Sequence, residues 1–278
     1  MKRIFVALLG LSAMLAAWPA RAASDLRLID AVRRQDAAAI DALLAAHADV
    51  NTTQGDGTTA LQLAVHMDDS ETVELLLAVG ANVNAANEYG VTALSLACAN
   101  QNELLLEKLL LAGADTKIAQ VNGVTPLMEC ARVGSAGGVQ QLLGRGATTD
   151  ARETGSGQTA LMWAAAGGHS GAVNALLKAG ADVHSKSKAG FTALLFCARA
   201  GDVETARLLL EAGANVNEST PEQGSALLVA AASGREDLGL FLLDKGADPN
   251  IADRYGITPR SEEHTFELQS RFGISYAV

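Results

Sequence analysis

GVTPLMECA, residues 123–131, returns 34 residues later as GQTALMWAA at 157–165. Between the two lies a second Leu-rich segment ending in Gly-Ala, and that segment also recurs, as in LLEAGANVN at 209–217. Working outward, a Leu preceded by a small residue or Pro recurs at Leu61, Leu94, Leu127, Leu161, Leu194 and Leu227, at spacings of 33, 33, 34, 33 and 33. A Gly-Ala pair keeps the same beat at Gly80, Gly113, Gly146, Gly180, Gly213 and Gly246. Both series slip by one residue at the same place, so the extra residue falls between Ala147 and Ala160, within TTDARETGSGQT. Backwards, the beat reaches Leu28 and His47-Ala48; forwards it reaches Gly256-Ile257-Thr258-Pro259 and then meets Arg260 where the next Leu belongs. A fixed period of this length is the signature of stacked repeats rather than of one globular core.

Each unit is legible physically. In Gly90-Val91-Thr92-Ala93-Leu94 the Gly suits a tight turn and the Thr caps a following helix. One turn beyond the Leu come small residues, Ala97-Cys98, Cys130-Ala131, Ala164-Ala165 and Cys197-Ala198, which let neighbouring helices approach to about 8–10 Å. A second helix carries the Leu-rich face, as at residues 72–79, and stops at a Gly placed for a left-handed cap. Neither helix can bury its apolar stripe alone, so each depends on its neighbours.

Composition agrees. The 278 residues are 49% hydrophobic but only 4% aromatic, with a net charge of −10, which excludes wholesale disorder and disfavours nucleic acid or anionic membrane as partners. Two ends stand apart. Lys2 and Arg3 precede an apolar run from Ile4 to Trp18 and then Ala20-Arg21-Ala22, the pattern of a signal peptide, so residues 1–22 are expected to be cleaved and the chain exported, periplasmic or secreted. RSEEHTFELQS at 260–270 resembles one translated frame of a common sequencing-library adapter, RSEEHTSELQS, and residues 260–278 are read as a non-native tail that cuts short an eighth unit. From Ala23 to Pro259 there are 16 basic and 28 acidic residues.

The unit resembles the ankyrin repeat, with its Gly-x-Thr-Pro-Leu-His, Ala-Ala and Leu-Leu-x-x-Gly-Ala-Asp-Val-Asn pattern, over residues 24–259. The resemblance implies an all-α ankyrin repeat solenoid: helix-turn-helix units joined by β-turn or hairpin loops. An N-terminal cap unit would span 24–53, with repeats near 54–86, 87–119, 120–153, 154–186, 187–219 and 220–252, and a truncated unit at 253–259. Two departures are systematic. Pro survives only at Pro126 and Pro259, and the family's His is replaced by Gln62, Ser95, Met128, Met162, Leu195 and Leu228. Hydrogen bonding supplied by that His is therefore expected to be absent or replaced, with packing carrying more of the stability. Arg27, Asp30, Arg33, Arg34 and Asp36 give the first unit a polar outer face, whereas the seventh is expected to lack a neighbour and fray.

Catalytic chemistry is not written in the chain. It holds no GxSxG, HExxH, phosphate loop or dinucleotide fingerprint, and is expected to be no enzyme and to need no cofactor. Cys98, Cys130 and Cys197 form no CxxC and sit among the small residues, so they read as buried small hydrophobes; Cys98 and Cys130, in adjacent units, could pair in an oxidising compartment. His47, His66, His169 and His184 share no metal-ligand spacing, so no metal is expected. Trp163 reads as a packing residue, and the sequons at Asn51 and Asn217 carry little meaning in an exported chain of bacterial type.

The resemblance implies instead a module that binds a protein partner through turn tips and the inner face of the first helices. Carried over by position, the binding residues are Asp56, His66, Met67, Tyr89, Val91 and Asn100, then Arg132, Ser156, Gln158, Lys188, Phe191 and Arg199. Tyr89 and Phe191 as exposed aromatics, with Arg132 and Arg199, are the favoured contacts, because interface hot spots favour such side chains. A monomer that inserts in no membrane once its signal is cleaved is expected. Two alternatives are kept: a secreted effector aimed at a host protein, and the binding part of a longer enzyme.

Overall fold

A computed structural model describes residues 25–259. The expected signal segment 1–22 and the adapter-like tail 260–278 lie outside the described residues. Among the described residues the chain forms seven successive pairs of packed helices. They are α1 (Arg27–Arg33) with α2 (Ala37–Ala45), α3 (Ala60–His66) with α4 (Ser70–Ala78), and α5 (Ala93–Ala99) with α6 (Glu103–Leu111). Then come α7 (Pro126–Val133) with α8 (Ala136–Gly144), α9 (Ala160–Ala166) with α10 (Ser170–Lys178), and α11 (Ala193–Ala200) with α12 (Val203–Glu211). A short hairpin of β1 (Ser219–Thr220) and β2 (Gly224–Ser225) leads into α13 (Ala226–Ala232) and α14 (Glu236–Asp244). The first helices of successive pairs pack in one row, and the second helices α6 to α14 in another. None of the helices is long and apolar enough to cross a membrane, among the described residues.

Caps set the helix starts. Thr59, Thr92, Thr125, Thr159 and Ser225 each accept the backbone N–H three residues on, at 3.2–3.4 Å. The second helices use Asp36, Asp69, Asn102, Ser135 and Asp202 in the same way. Leu26, His169 and Arg235 make no side-chain cap bond, and neither does Thr192, whose hydroxyl is buried without a partner. Packing then follows the sequence period. Leu76, Leu109, Leu142, Leu176, Leu209 and Leu242 are each fully buried in the second row, while the small residues line the first.

Three sets of hydrogen bonds lock one unit to the next. Asn51, Asn84, Asp150 and Asn217 accept the backbone N–H of Asn82, Asp115, Asp182 and Asp248 at 2.7–3.1 Å. Lys117 and His184 hold the equivalent positions and lack the short oxygen acceptor the bond needs. At the loop tips, backbone bonds run from Glu88 to Asp56, Val121 to Tyr89, Thr154 to Asn122 and Lys188 to Ser156. The third set sits where the family has His, and at one unit the bonding is replaced rather than absent. The Gln62 amide donates to the carbonyls of Ala85 (3.1 Å) and Val91 (2.6 Å) in the next unit, while its oxygen accepts from the Thr59 N–H. Met128, Met162, Leu195 and Leu228 are buried at the same position without polar atoms, so there packing does carry the interface.

The extra residue at the junction of the fourth and fifth units is absorbed in the loop tip from Glu153 to Gln158. The Glu153 carboxylate accepts the backbone N–H groups of Gly155, Ser156 and Gln158 at 2.5–2.9 Å, closing the longer loop on itself. Burial pushes the Glu153 carboxyl up, but these N–H bonds outweigh it and hold the group below the usual carboxylate range.

The cysteines need a correction. Cys98 and Cys130 are joined by a disulfide between α5 and α7, with their Cα atoms 4.6 Å apart. They face each other diagonally: Cys98 is the second small residue of its helix and Cys130 the first of the next, 32 residues on. Gly138 leaves the room required, since a Cβ there would lie 2.7 Å from the Cys130 sulfur. Cys197 keeps the role of a small hydrophobe; it is buried and free, and burial, with Asp202 nearby, pushes its thiol up to about 12.

Candidate partner-binding face

The first helices of the pairs present two rows of side chains to one side of the stack. Residues two after each Leu of the repeat form the inner row: Asp30, Leu63, Leu96, Glu129, Trp163, Phe196 and Val229. Those five after it, one helical turn further on the same face, form the outer row: Arg33, His66, Ala99, Arg132, Ala166, Arg199 and Ala232. The inner row is half-buried from Leu63 to Phe196; the outer row is exposed apart from a half-buried Ala99.

The loop tips border the same face. Arg33 donates to the Gln54 side chain at 2.8 Å, and Gln120 to the Glu129 carboxylate at 3.2 Å. The Phe191 ring lies 5.5 Å from that of Phe196. Helices and tips therefore make one continuous surface. Its C-terminal end opens into a cavity of about 300 Å³ walled by Arg199, Glu222, Val229, Ala232, Asp253 and Ile257.

The sequence-derived residues divide sharply on this surface. His66, Tyr89, Arg132, Ser156 and Arg199 are exposed, Tyr89 at 61%. The hydrogen bond to Glu88 pushes the Tyr89 phenol up, as does that neighbour's negative charge. Met67 is half-buried at the end of α3. Others are engaged in bonds between units or within their own loop tips. Asn100 donates to the carbonyls of Val65 and His66 and to Asp68, clamping the preceding unit. Lys188 donates to the Thr154 carbonyl at 2.6 Å. Asp56 accepts from the backbone and hydroxyl of Thr58, which hold its carboxyl below the usual range. The Val91 carbonyl receives Gln62, and Gln158 donates its N–H to Glu153.

Phe191 is a correction: it is not an exposed aromatic but a half-buried one packed on the core against Phe196. The residues that sequence position undervalued are Trp163 and Phe196, together with Val121, which is 75% exposed on the tip beside Tyr89. The signal was available in the 33-residue register, which lines up Leu63, Leu96, Trp163 and Phe196.

Charge along the face is uneven. Arg33 and Arg132 are neutralised by Asp30 and Glu129 one turn earlier, at 2.9 and 2.8 Å. Arg199 has Phe196 at that position and makes no ion pair within 4.0 Å among the described residues. No group of three His, Cys, Asp or Glu able to hold a metal occurs among the described residues.

A family model for ankyrin repeats matches the chain three times, over residues 28–119, 94–187 and 179–253. The chain belongs to the ankyrin repeat family. It is similar to the crystal structure of the human ASB11 ankyrin repeat domain, at 26% identity and a TM-score of 0.69, covering 80% of this chain and 98% of that one. A comparison with curated proteins gave no match. Ankyrin stacks are general protein–protein interaction modules, and this one is an all-α solenoid of that kind.

Proposed function

We propose that this chain is an exported ankyrin scaffold that binds a protein partner across its inner helix face and loop tips, without catalysis of its own. The observation that carries this is the pair of side-chain rows. A half-buried row that is apolar at Leu63, Leu96, Trp163 and Phe196, broken by Glu129, runs beside a largely exposed row with no acidic member, in a chain where acids far outnumber bases from Ala23 to Pro259. Anchors of this kind, large side chains on a rigid support with a polar rim, supply most of the energy in protein interfaces. Export is supported by the apolar run from Ile4 to Trp18 with its A-x-A site, and by the Cys98–Cys130 bridge, because disulfides persist in oxidising compartments.

Affinity capture from the exporting cell tests the reading. Ala166→Arg and Ala232→Arg add bulk to the face at exposed positions, and Ala78→Arg adds the same bulk on α4, on the opposite row. The first two variants should lose the captured partner while Ala78→Arg keeps it. Equal capture by all three would place the contact elsewhere. A fusion of residues 1–40 to a reporter active only after export tests the leader.

A further inference from the structure

This inference rests on the inner helix face as the binding surface. We infer that its occupant is a protein segment carrying an apolar side chain with a carboxylate within about three residues of it, seated on Trp163, Phe191 and Phe196 and paired to Arg199. Three observations converge. Phe191 and Phe196 pack 5.5 Å apart and remain half-exposed, with Trp163 on the adjoining helix α9 in the same row. Among the described residues the Phe191–Phe196 pair is the one ring-to-ring contact, in a chain of which aromatics make up only 4%. Second, Arg199 stands one turn after Phe196, about 4.5 Å along the helix axis, so cation and ring meet a ligand side by side.

Third, the outer row holds three Arg, one His and three Ala but no acid, and Arg199 is the arginine there without an ion-pair partner among the described residues. Arg33 and Arg132 already have carboxylates, so the unmatched charge falls beside the aromatics. A guanidinium in that state favours a carboxylate, which it can grip through two parallel N–H bonds. Glu222 and Asp253, across the 300 Å³ cavity, would repel a second acid and limit the ligand to one carboxylate at this point.

The test begins with the purified chain and random linear dodecapeptides displayed on phage. Enriched peptides should carry Phe, Trp, Leu or Ile with Asp or Glu within three residues. A labelled synthetic peptide of that type, followed by anisotropy, should weaken about tenfold when its acid becomes Gln and more when it becomes Lys. Arg199→Glu should reverse that order, and Arg199→Lys should retain part of the affinity. The Arg199 side chain is exposed and only its carbonyl receives Arg235, so these variants leave the stack intact; circular dichroism checks this.

Equal binding of the acid, Gln and Lys peptides, blocked by Ala232→Arg, would overturn this inference and leave the binding face standing. Competition by oligothymidylate, or self-association of the chain abolished by Arg199→Glu, would overturn it in favour of a nucleic acid or a second copy. A lack of peptide enrichment together with partner capture that survives Ala166→Arg and Ala232→Arg would remove the face as well.

Discussion

Reducing the Cys98–Cys130 bridge should cost the stack about 3.7 kcal/mol. That figure comes from the loop the bridge closes, 32 residues, in the chain-entropy expression for cross-links at 25 °C. The bond ties each cysteine's helix, α5 and α7, to its neighbour, so its loss should be felt at one interface in the middle of the stack. Cooperativity in a repeat array depends on such interfaces, and weakening one should broaden unfolding or split it in two. The assay is urea unfolding followed by circular dichroism, with and without reductant, on one preparation. Thiol titration of the denatured protein sets the baseline: one thiol, Cys197, before reduction and three after. Cys98→Ala with Cys130→Ala should fall about 1 kcal/mol below the reduced protein, for the space left by two sulfurs. Three titratable thiols in protein prepared under oxidising conditions, or a reduced form within about 1 kcal/mol of the oxidised one, would refute the reasoning.

Four further outcomes are expected. Gly138→Ala should destabilise by about 1–3 kcal/mol, because its methyl would meet the Cys130 sulfur at 2.7 Å, whereas Gly144→Ala at the end of the same helix, with open space around it, should be neutral or stabilising in the same urea assay. Gln62→Met should cost about 1–3 kcal/mol despite its similar shape, since it leaves the Thr59 N–H and the Ala85 carbonyl without those bonds and takes one of two donors from the Val91 carbonyl, which keeps the Asn87 N–H; Met128→Leu at the equivalent position should cost less than about 1.5. Thr192→Val should be neutral or stabilising while Thr159→Val loses about 1 kcal/mol, because only Thr159 makes a cap bond. The Glu153 carboxyl lies below its ordinary value in the fold, so its contribution is present above the ordinary range near 4.5 and is lost as pH falls through the lowered folded value. Melting curves from pH 7 to 3 should therefore show less acid sensitivity in Glu153→Gln than in the unaltered chain.

The register of the stack was legible from Leu61 to Leu227 because capping, small-residue packing and the Gly-Ala exit are local rules repeated at a fixed interval. Most of what stayed hidden depends on partners in the neighbouring unit, 23–35 residues away. Asn100 and Lys188 occupy tip and helix-end positions suited to a ligand, but the backbone carbonyls of the preceding unit take their donors. Gln62 differs from Met128 at one position only in having an amide, and the amide reaches across to the next unit. The cysteine pair is legible only diagonally, by comparing the second small residue of one helix with the first of the next. Phe191 looked exposed because the loop tip places it outside the helix, and the ring folds back onto Phe196.

The central claim is that the first helices of the pairs carry the partner. A photo-crosslinking side chain at Ala166, within the outer row beside Trp163, tests it most directly when matched by one at Leu104, 70% exposed on α6. The account predicts a covalent adduct with one protein partner from Ala166 and none from Leu104. Adducts from Leu104 with none from Ala166 would contradict it.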